Sequence, residues 1–368
     1  MLRGNKGEWA ELYAFLKILS DQKLPSANET LEIEPDRFFE FLRVHWNDPQ
    51  NGPTLYELHT DYIEILNSEK SITKVIPVSV ISSKLNSIFK EIISGKGRSF
   101  TAPVAESLMS ELNRTSLKAP SADKADILTT IIDRNTNTPE LSGFSVKSIL
   151  KSQATLLNAS GQTLFRFKLL GLESRDPESI ADEIAAIDES NSASYYFDRM
   201  KKIYDLGGKL EFSSMLSNNF ENTLRKIDTM MPEFVAEMLI GYFSKKGRSL
   251  SELVKYLTNS DLTKKQFNFS LERGDYEFKI KQLLAASALG MQPAKPWDGM
   301  MKASGGYLVV VRNGDVLCYH AFNRDVFLSY LFNNTIFESP AGRTAPYMKV
   351  MQIDGNLFLD LKLQIRFS

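Results

Sequence analysis

Two short β-prone runs held apart by a strong turn constrain this chain more than any other feature in it. ILTTII at 127–132 is β-branched and of strand length, and GFSVKSI at 143–149 is a second strand candidate. Between them stands Asp133–Arg134–Asn135–Thr136–Asn137–Thr138–Pro139, whose Asn, Asp and Pro residues favour a turn over continued extension. The two runs are expected to pair as an antiparallel hairpin, so the fold contains a sheet. Thr163–Leu164–Phe165–Arg166–Phe167–Lys168–Leu169 alternates apolar and polar residues and reads as a third strand.

Helical periodicity surrounds these strands. In 7–20, Trp9, Leu12, Phe15, Leu16 and Leu19 recur at helical spacing, and Asp21–Gln22–Lys23–Leu24–Pro25 ends the pattern. Further helices are expected over 35–46, 80–94 and about 102–114, with Gly95–Lys96–Gly97–Arg98 as a loop. From 176 to 290 the pattern is helical throughout, opening at Asp176–Pro177. After Pro293–Ala294–Lys295–Pro296 it turns β-rich: hairpins are expected around Asn313–Gly314 and Asp354–Gly355, a helix near 324–332, and a closing strand in LFLDLKLQIRF. The fold class is α/β, a mixed sheet flanked by helices, with a helical insertion and a β-rich C-terminal part.

Composition narrows the chemistry. Hydrophobic residues at 43% and charged residues at 24% fit a globular chain with a sizeable core. The 44 Lys and Arg against 45 Asp and Glu leave a net charge of −1, so any contact with nucleic acid must use a local basic surface. A single cysteine, Cys318, rules out an internal disulfide, and the expected setting is the cytoplasm. With three His and no CxxC or HExxH, a zinc site is not expected. No run reaches the roughly 18 apolar residues of a membrane span, and MLRGNKGEWAELY lacks the apolar stretch of a signal peptide.

The candidate chemistry sits on the hairpin. Asp126 stands at the start of the first run and Lys147 lies in the second. Residues i and i+2 of a strand share a face, so Ser145 and Lys147 point the same way, towards Asp126. An Asp on one strand and a Lys two residues after an acidic position on the next is the layout of PD-(D/E)XK nucleases. There, hard oxygen ligands hold Mg²⁺ and the lysine acts on water and phosphate. Here the acidic position is Ser145, which leaves the site a carboxylate short. The first helix offers a replacement in Glu11, one turn before Phe15, and Glu8 and Glu140 are the competing donors. The expected metal shell is Asp126, Glu11 and the carbonyl of Val146. Taken singly, each of these residues also has a structural reading. Asp126 can cap a strand, Lys147 can line a solvated face, and Glu8 and Glu11 can offset the helix dipole.

Gly4–Asn5–Lys6–Gly7–Glu8–Trp9–Ala10–Glu11, Gly143–Phe144–Ser145–Val146–Lys147–Ser148 and Ala154–Thr155–Leu156–Leu157–Asn158–Ala159–Ser160 resemble the HpaII-type restriction endonuclease family. LCYHAFNRDVFLSYLFNNTIFESP and the closing LKLQIRF resemble it too. The resemblance runs from residue 4 to 367 and is weakest in the helical middle. It implies a type II enzyme that cuts both strands of duplex DNA at a short site, Mg²⁺ as cofactor and a companion DNA methyltransferase, and it leaves room for a homodimer. The expected division is a catalytic region at 1–175 with a restriction-endonuclease-like sheet, a helical region at 176–292, and DNA recognition at 293–368. Ser145, Thr155, Asn158, Arg343 and Arg366 are the candidate DNA contacts, because polar and guanidinium groups read base edges. The competing functions are a modification- or structure-dependent nuclease on the same core and a non-catalytic DNA-binding module.

Overall fold

The structure is a computed structural model. It describes every residue except 119–124, 134–136, 151–154, 173–174, 188–194, 261, 301–303, 322–323 and 341–346, and only the backbone at 133 and 265–267. The elements run α1 (Lys6–Asp21), β1 (Lys23–Ala27), β2 (Ile33–Asp48), β3 (Gly52–Leu58), β4 (Tyr62–Leu66), β5 (Ile72–Pro77), α2 (Val78–Ser94), α3 (Pro103–Glu111), β6 (Ile127–Asp133) and β7 (Thr138–Ser148). Next come β8 (Thr155–Leu157), β9 (Leu164–Leu170), α4 (Pro177–Ala185), α5 (Tyr195–Asp205), β10 (Lys209–Met215), α6 (Asn218–Ile227), α7 (Met231–Phe243), α8 (Leu250–Ser260), α9 (Leu262–Phe267) and α10 (Arg273–Leu289). The chain closes with β11 (Gly306–Val310), β12 (Val316–His320), α11 (Arg324–Asn333), β13 (Thr335–Phe337), β14 (Val350–Ile353), β15 (Asn356–Lys362) and β16 (Ile365–Phe367). Among the described residues, no helix is long and apolar enough to cross a membrane.

The chain forms two compact units, Met1–Ala154 with Met301–Tyr330, and Thr155–Met300 with Leu331–Ser368. The first holds a nine-stranded sheet in the order β1-β12-β11-β7-β6-β2-β3-β4-β5. The expected hairpin is there: β6 and β7 pair antiparallel from Ile127↔Phe144 to Asp133↔Thr138 with no slip in register. β11 then lies parallel to β7, and β12 antiparallel to β11. β1 pairs both with β12 and with β2, so six of the strands close into a ring and β3, β4 and β5 extend from it. That closure was not anticipated from the sequence.

Helix α1 begins where a reciprocal capping box sets it. Asn5 Oδ1 accepts from the Glu8 amide at 3.1 Å, and Glu8 Oε2 accepts from the Asn5 amide at 2.8 Å. It ends at Gln22, whose left-handed backbone (φ 56) lets its amide reach the Ile18 carbonyl. Trp9, Leu12, Phe15, Leu16, Ile18 and Leu19 are all fully buried. A helix apolar on so much of its circumference is an interior helix. It belongs to one core with α2, Phe144 and Val146 of β7, and Leu308 and Val310 of β11. Tyr13 donates to the carbonyl of Gly314 at 2.8 Å, tying α1 to the β11–β12 turn. Gly314 holds φ +92 there, the left-handed conformation that glycine adopts without strain.

The helix expected at 35–46 is instead part of β2. Its buried residues alternate at Phe39 and Phe41 and again at Val44 and Trp46, and the pairing with β6 slips by one residue between Phe41 and Arg43. That irregularity breaks the period of two and leaves a spacing that imitates a helix. The sequence reading assigned nothing to the segment that forms β3, β4 and β5.

In the second unit, β9, β10, β15 and β14 form a four-stranded sheet in the order β10-β9-β15-β14, and β13, β16 and β8 form a three-stranded one. The long helical middle is real except for β10, which follows Gly207–Gly208 and pairs antiparallel with β9. The Asp354–Gly355 turn joins β14 and β15 as expected. The C-terminal stretch expected to act as one region is divided: β11 and β12 belong to the first unit, and β13 to β16 to the second.

Candidate active site

The N-terminal end of β6 and the C-terminal half of β7 place the first two groups. The Asp126 amide donates to the Phe144 carbonyl at 2.9 Å, which extends the hairpin by one residue and sets Asp126 beside Ser145. Its carboxylate is then fixed through one oxygen: Oδ2 accepts from Ser145 Oγ at 3.0 Å and from the Val146 amide at 2.7 Å. Oδ1 accepts no hydrogen bond among the described residues. The serine at the position of the missing acid therefore orients the acid that remains.

Lys147 shares the face of Ser145, and register with β11 brings Tyr307 beside Ser145 and Val309 beside Lys147. Lys147 Nζ lies 5.5 Å from the Tyr307 ring centroid, a cation over an aromatic face. Its ammonium makes no ion pair among the described residues.

Glu11 comes from the buried helix α1, one turn before Phe15. Burial raises its carboxyl most, the negative charge of Asp126 raises it further, and Lys147 and Lys118 oppose them; the result is a pKa pushed up to about 8. Glu11, Asp126 and Lys147 thus lie within one another's electrostatic reach. Two acids crowded in a partly buried site repel each other, and a hard divalent cation would relieve that repulsion. No cluster of three or more His, Cys, Asp or Glu suited to a metal occurs among the described residues. A metal here would draw on two carboxylates, a main-chain carbonyl and water, a donor set that suits Mg²⁺, which keeps several waters.

The competing donors are engaged or turned away. Glu8 closes the capping box with the N-cap Asn5 and also pairs with Lys118 at 2.6 Å. Glu140 pairs with Ile131 in the hairpin, so the alternation along β7 puts it on the face opposite Ser145 and Lys147.

One contributor escaped the sequence reading. Arg114, in the loop after α3, is fully buried, its guanidinium 4.5 Å from the Phe15 ring and 3.6 Å from that of Trp46. Nε donates to the Ser116 carbonyl and Nη2 to that of Leu117, while Nη1 has no hydrogen-bond partner among the described residues. Burial pushes the guanidinium down to about 10, against the pull of Tyr56, Glu11 and Asp48, so it stays charged at neutral pH. This clamp shapes the segment that delivers Lys118 to Glu8. A lone arginine between Asn113 and Thr115 carries no sequence signal for that role.

Of the candidate DNA contacts, Thr155, Asn158 and Arg366 belong to the second unit and Ser145 to the first. Thr155 pairs with Arg366 in the β8–β16 ladder, and exposed Asn158 follows β8 directly. The Arg366 guanidinium is bound to Glu338. Arg343 lies outside the described residues. Ser145 is engaged with Asp126.

Comparison with known proteins decides the family. The model of the HpaII restriction endonuclease family matches residues 5–367. The chain belongs to the HpaII restriction endonuclease family. It is 35% identical to the type II restriction enzyme HpaII of Haemophilus parainfluenzae over 369 residues, 99% of this chain and 98% of that one. No solved structure matches. Family membership makes the protein a type II restriction endonuclease, a DNA hydrolase belonging to a restriction-modification system.

Proposed function

We propose that this enzyme makes Mg²⁺-dependent double-strand cuts at a short specific DNA site, with Glu11, Asp126 and Lys147 as its active site in the manner of a PD-(D/E)XK nuclease. The observation that carries the reading is the Asp126 carboxylate, held through one oxygen by Ser145 and Val146 and near enough for its charge to raise the carboxyl of Glu11 on α1. Glu11, Asp126 and the Val146 carbonyl would hold the ion. When bound, Mg²⁺ lowers the pKa of a coordinated water and offsets charge on the scissile phosphate. Ser145 keeps Asp126 in the orientation that ligation needs. Lys147 directs the attacking water and sets a positive charge against the phosphate as negative charge builds there. Its place over the Tyr307 ring limits the paths its ammonium can take.

Base reading is assigned to the part after Lys147, with Thr155, Asn158, Arg343 and Arg366 as contacts and Ser145 at the margin of the site. The region from 293 onward is assigned a share of recognition. The substrate is double-stranded DNA, the companion is a methyltransferase that protects host sites, and the setting is the cytoplasm. Cutting two strands calls for two active sites, which a homodimer supplies. The deciding experiment incubates the protein with unmodified plasmid and Mg²⁺, with and without chelator. Discrete bands that vanish with chelator support the reading. Cutting confined to modified or branched DNA would favour the modification- or structure-dependent nuclease, and binding without cutting a non-catalytic module.

A further inference from the structure

Within the second unit, α5, α8 and the turn after α7 line a half-open cavity of about 490 Å³, inside the roughly 300–1,000 Å³ range of small-ligand sites. Its walls are aromatic, with Phe197 and Tyr204 from α5 and Tyr256 from α8, and Lys245 and Lys246 stand at its edge. Neither lysine has an ion-pair partner among the described residues. Lys201, also at the rim, is paired with Asp205, and Asp198 is the single acid in the lining. The pocket therefore offers aromatic surface for a ring system and, among the described residues, positive charge without an ion-pair partner for an anion.

The backbone marks Lys245 as well. Helix α7 ends in a Schellman motif: the Lys246 amide donates to the Gly241 carbonyl and the Lys245 amide to that of Tyr242. Lys245 fills the left-handed position of that motif with φ 58, where glycine sits without strain. The strained residue aims an ammonium at an aromatic ring, 5.3 Å from the centroid of Phe197.

We propose that this cavity binds a nucleotide, its base against the aromatic wall and its phosphate at Lys245 and Lys246. The choice of a nucleotide among aromatic anions rests on the DNA-cleaving reading, but the binding itself does not. The nucleotide can come free from solution or be a residue of the bound DNA turned out of its stack, as ring stacking and lysine–phosphate attraction serve both.

The test is calorimetric titration of the whole protein, without metal, with the four deoxynucleoside monophosphates, their nucleosides and inorganic phosphate. At least one monophosphate should bind about tenfold more tightly than its nucleoside or phosphate alone. Lys245→Gly removes the ammonium and relaxes the backbone, so melting temperature should hold or rise while nucleotide affinity falls about tenfold. Lys246→Ala should weaken binding in the same direction. A monophosphate that also displaces a short duplex from the wild type, and does so poorly in Lys245→Gly, identifies the DNA as the source; binding without displacement identifies a free nucleotide. No binding of any monophosphate, phosphate binding as tightly as the nucleotides, or full affinity in a folded Lys245→Gly would each overturn the proposal. Because no cleavage is measured, these results are independent of whether Lys147 variants cut DNA.

Discussion

Asp126 shows how much one side chain depends on its neighbour. A carboxylate free to rotate would present a metal with a changing geometry, and Ser145 Oγ at 3.0 Å removes part of that freedom. Hydrogen bonds to charged groups are worth roughly 1.5–3 kcal/mol. Ser145→Ala should therefore lower the melting temperature by a few degrees and, at a temperature where the variant is fully folded, lower the cutting rate about tenfold or more. A variant that cuts at the wild-type rate would show that the Val146 amide alone suffices. Asp48 is the second case. Burial raises its carboxyl, but hydrogen bonds from Thr115 (amide and hydroxyl) and from the Asn51 and Gln50 amides outweigh burial and hold it below its ordinary value. A lowered folded-state pKa contributes stability that is present above the unfolded value and lost as pH falls through the folded one. Wild-type stability should decline on acidification below about pH 4, the ordinary range of aspartate. Asp48→Asn should be less stable at neutral pH, with a shallower acid decline, when both are followed by urea denaturation across pH. Equal slopes would remove the assignment.

Among the elements, α1 serves two ends at once, as an interior pillar and as the carrier of Glu11. Leu16 is fully buried, so Leu16→Ala should cost about 2–5 kcal/mol of stability in chemical denaturation, with little change in the cutting rate of the fraction that remains folded. The strands and helices that announce themselves by clean periodicity were legible in the sequence. The β-branched run at 127–132 and the turn after it pointed to the β6–β7 hairpin, and the helical spacing from Trp9 to Leu19 to α1. Other elements were hidden by physical causes. A one-residue slip in β2 turned its period of two into something helical. β10 is a short strand set among helices and shows itself only through Gly207–Gly208. Pairing over long separations, such as β1 with β12, leaves no local trace at all, and the ring of six strands rests on it. The site divides in the same way. The adjacency of the proposed Asp126 and Lys147 on neighbouring strands could be read from the hairpin. The placing of Glu140 on the face opposite Lys147 needed the register of β7, and the burial of Arg114 between Phe15 and Trp46 needed the fold.

At the scale of the whole molecule, the chain is a DNA hydrolase of the restriction type, and metal binding is the property that the proposed site must confer on the whole fold. A ligand that binds only the folded state stabilises it, by about 1.4 kcal/mol at ten times its dissociation constant. Mg²⁺ should accordingly raise the melting temperature of the wild type, and the rise should shrink in Glu11→Gln and in Asp126→Asn. An equal rise in all three would move the metal away from these residues. The most direct test of the central claim is the rate of plasmid cleavage in Mg²⁺ by Glu11→Gln, Asp126→Asn and Lys147→Met, set beside Glu8→Gln and Glu140→Gln. Removing a charge that acts in the transition state costs several kcal/mol, so the first three should each lose about 10²–10³-fold, while the last two stay within about threefold of wild type. Wild-type rates in Lys147→Met or Asp126→Asn, or a collapse in Glu140→Gln with Glu11→Gln unaffected, would contradict the active site described above.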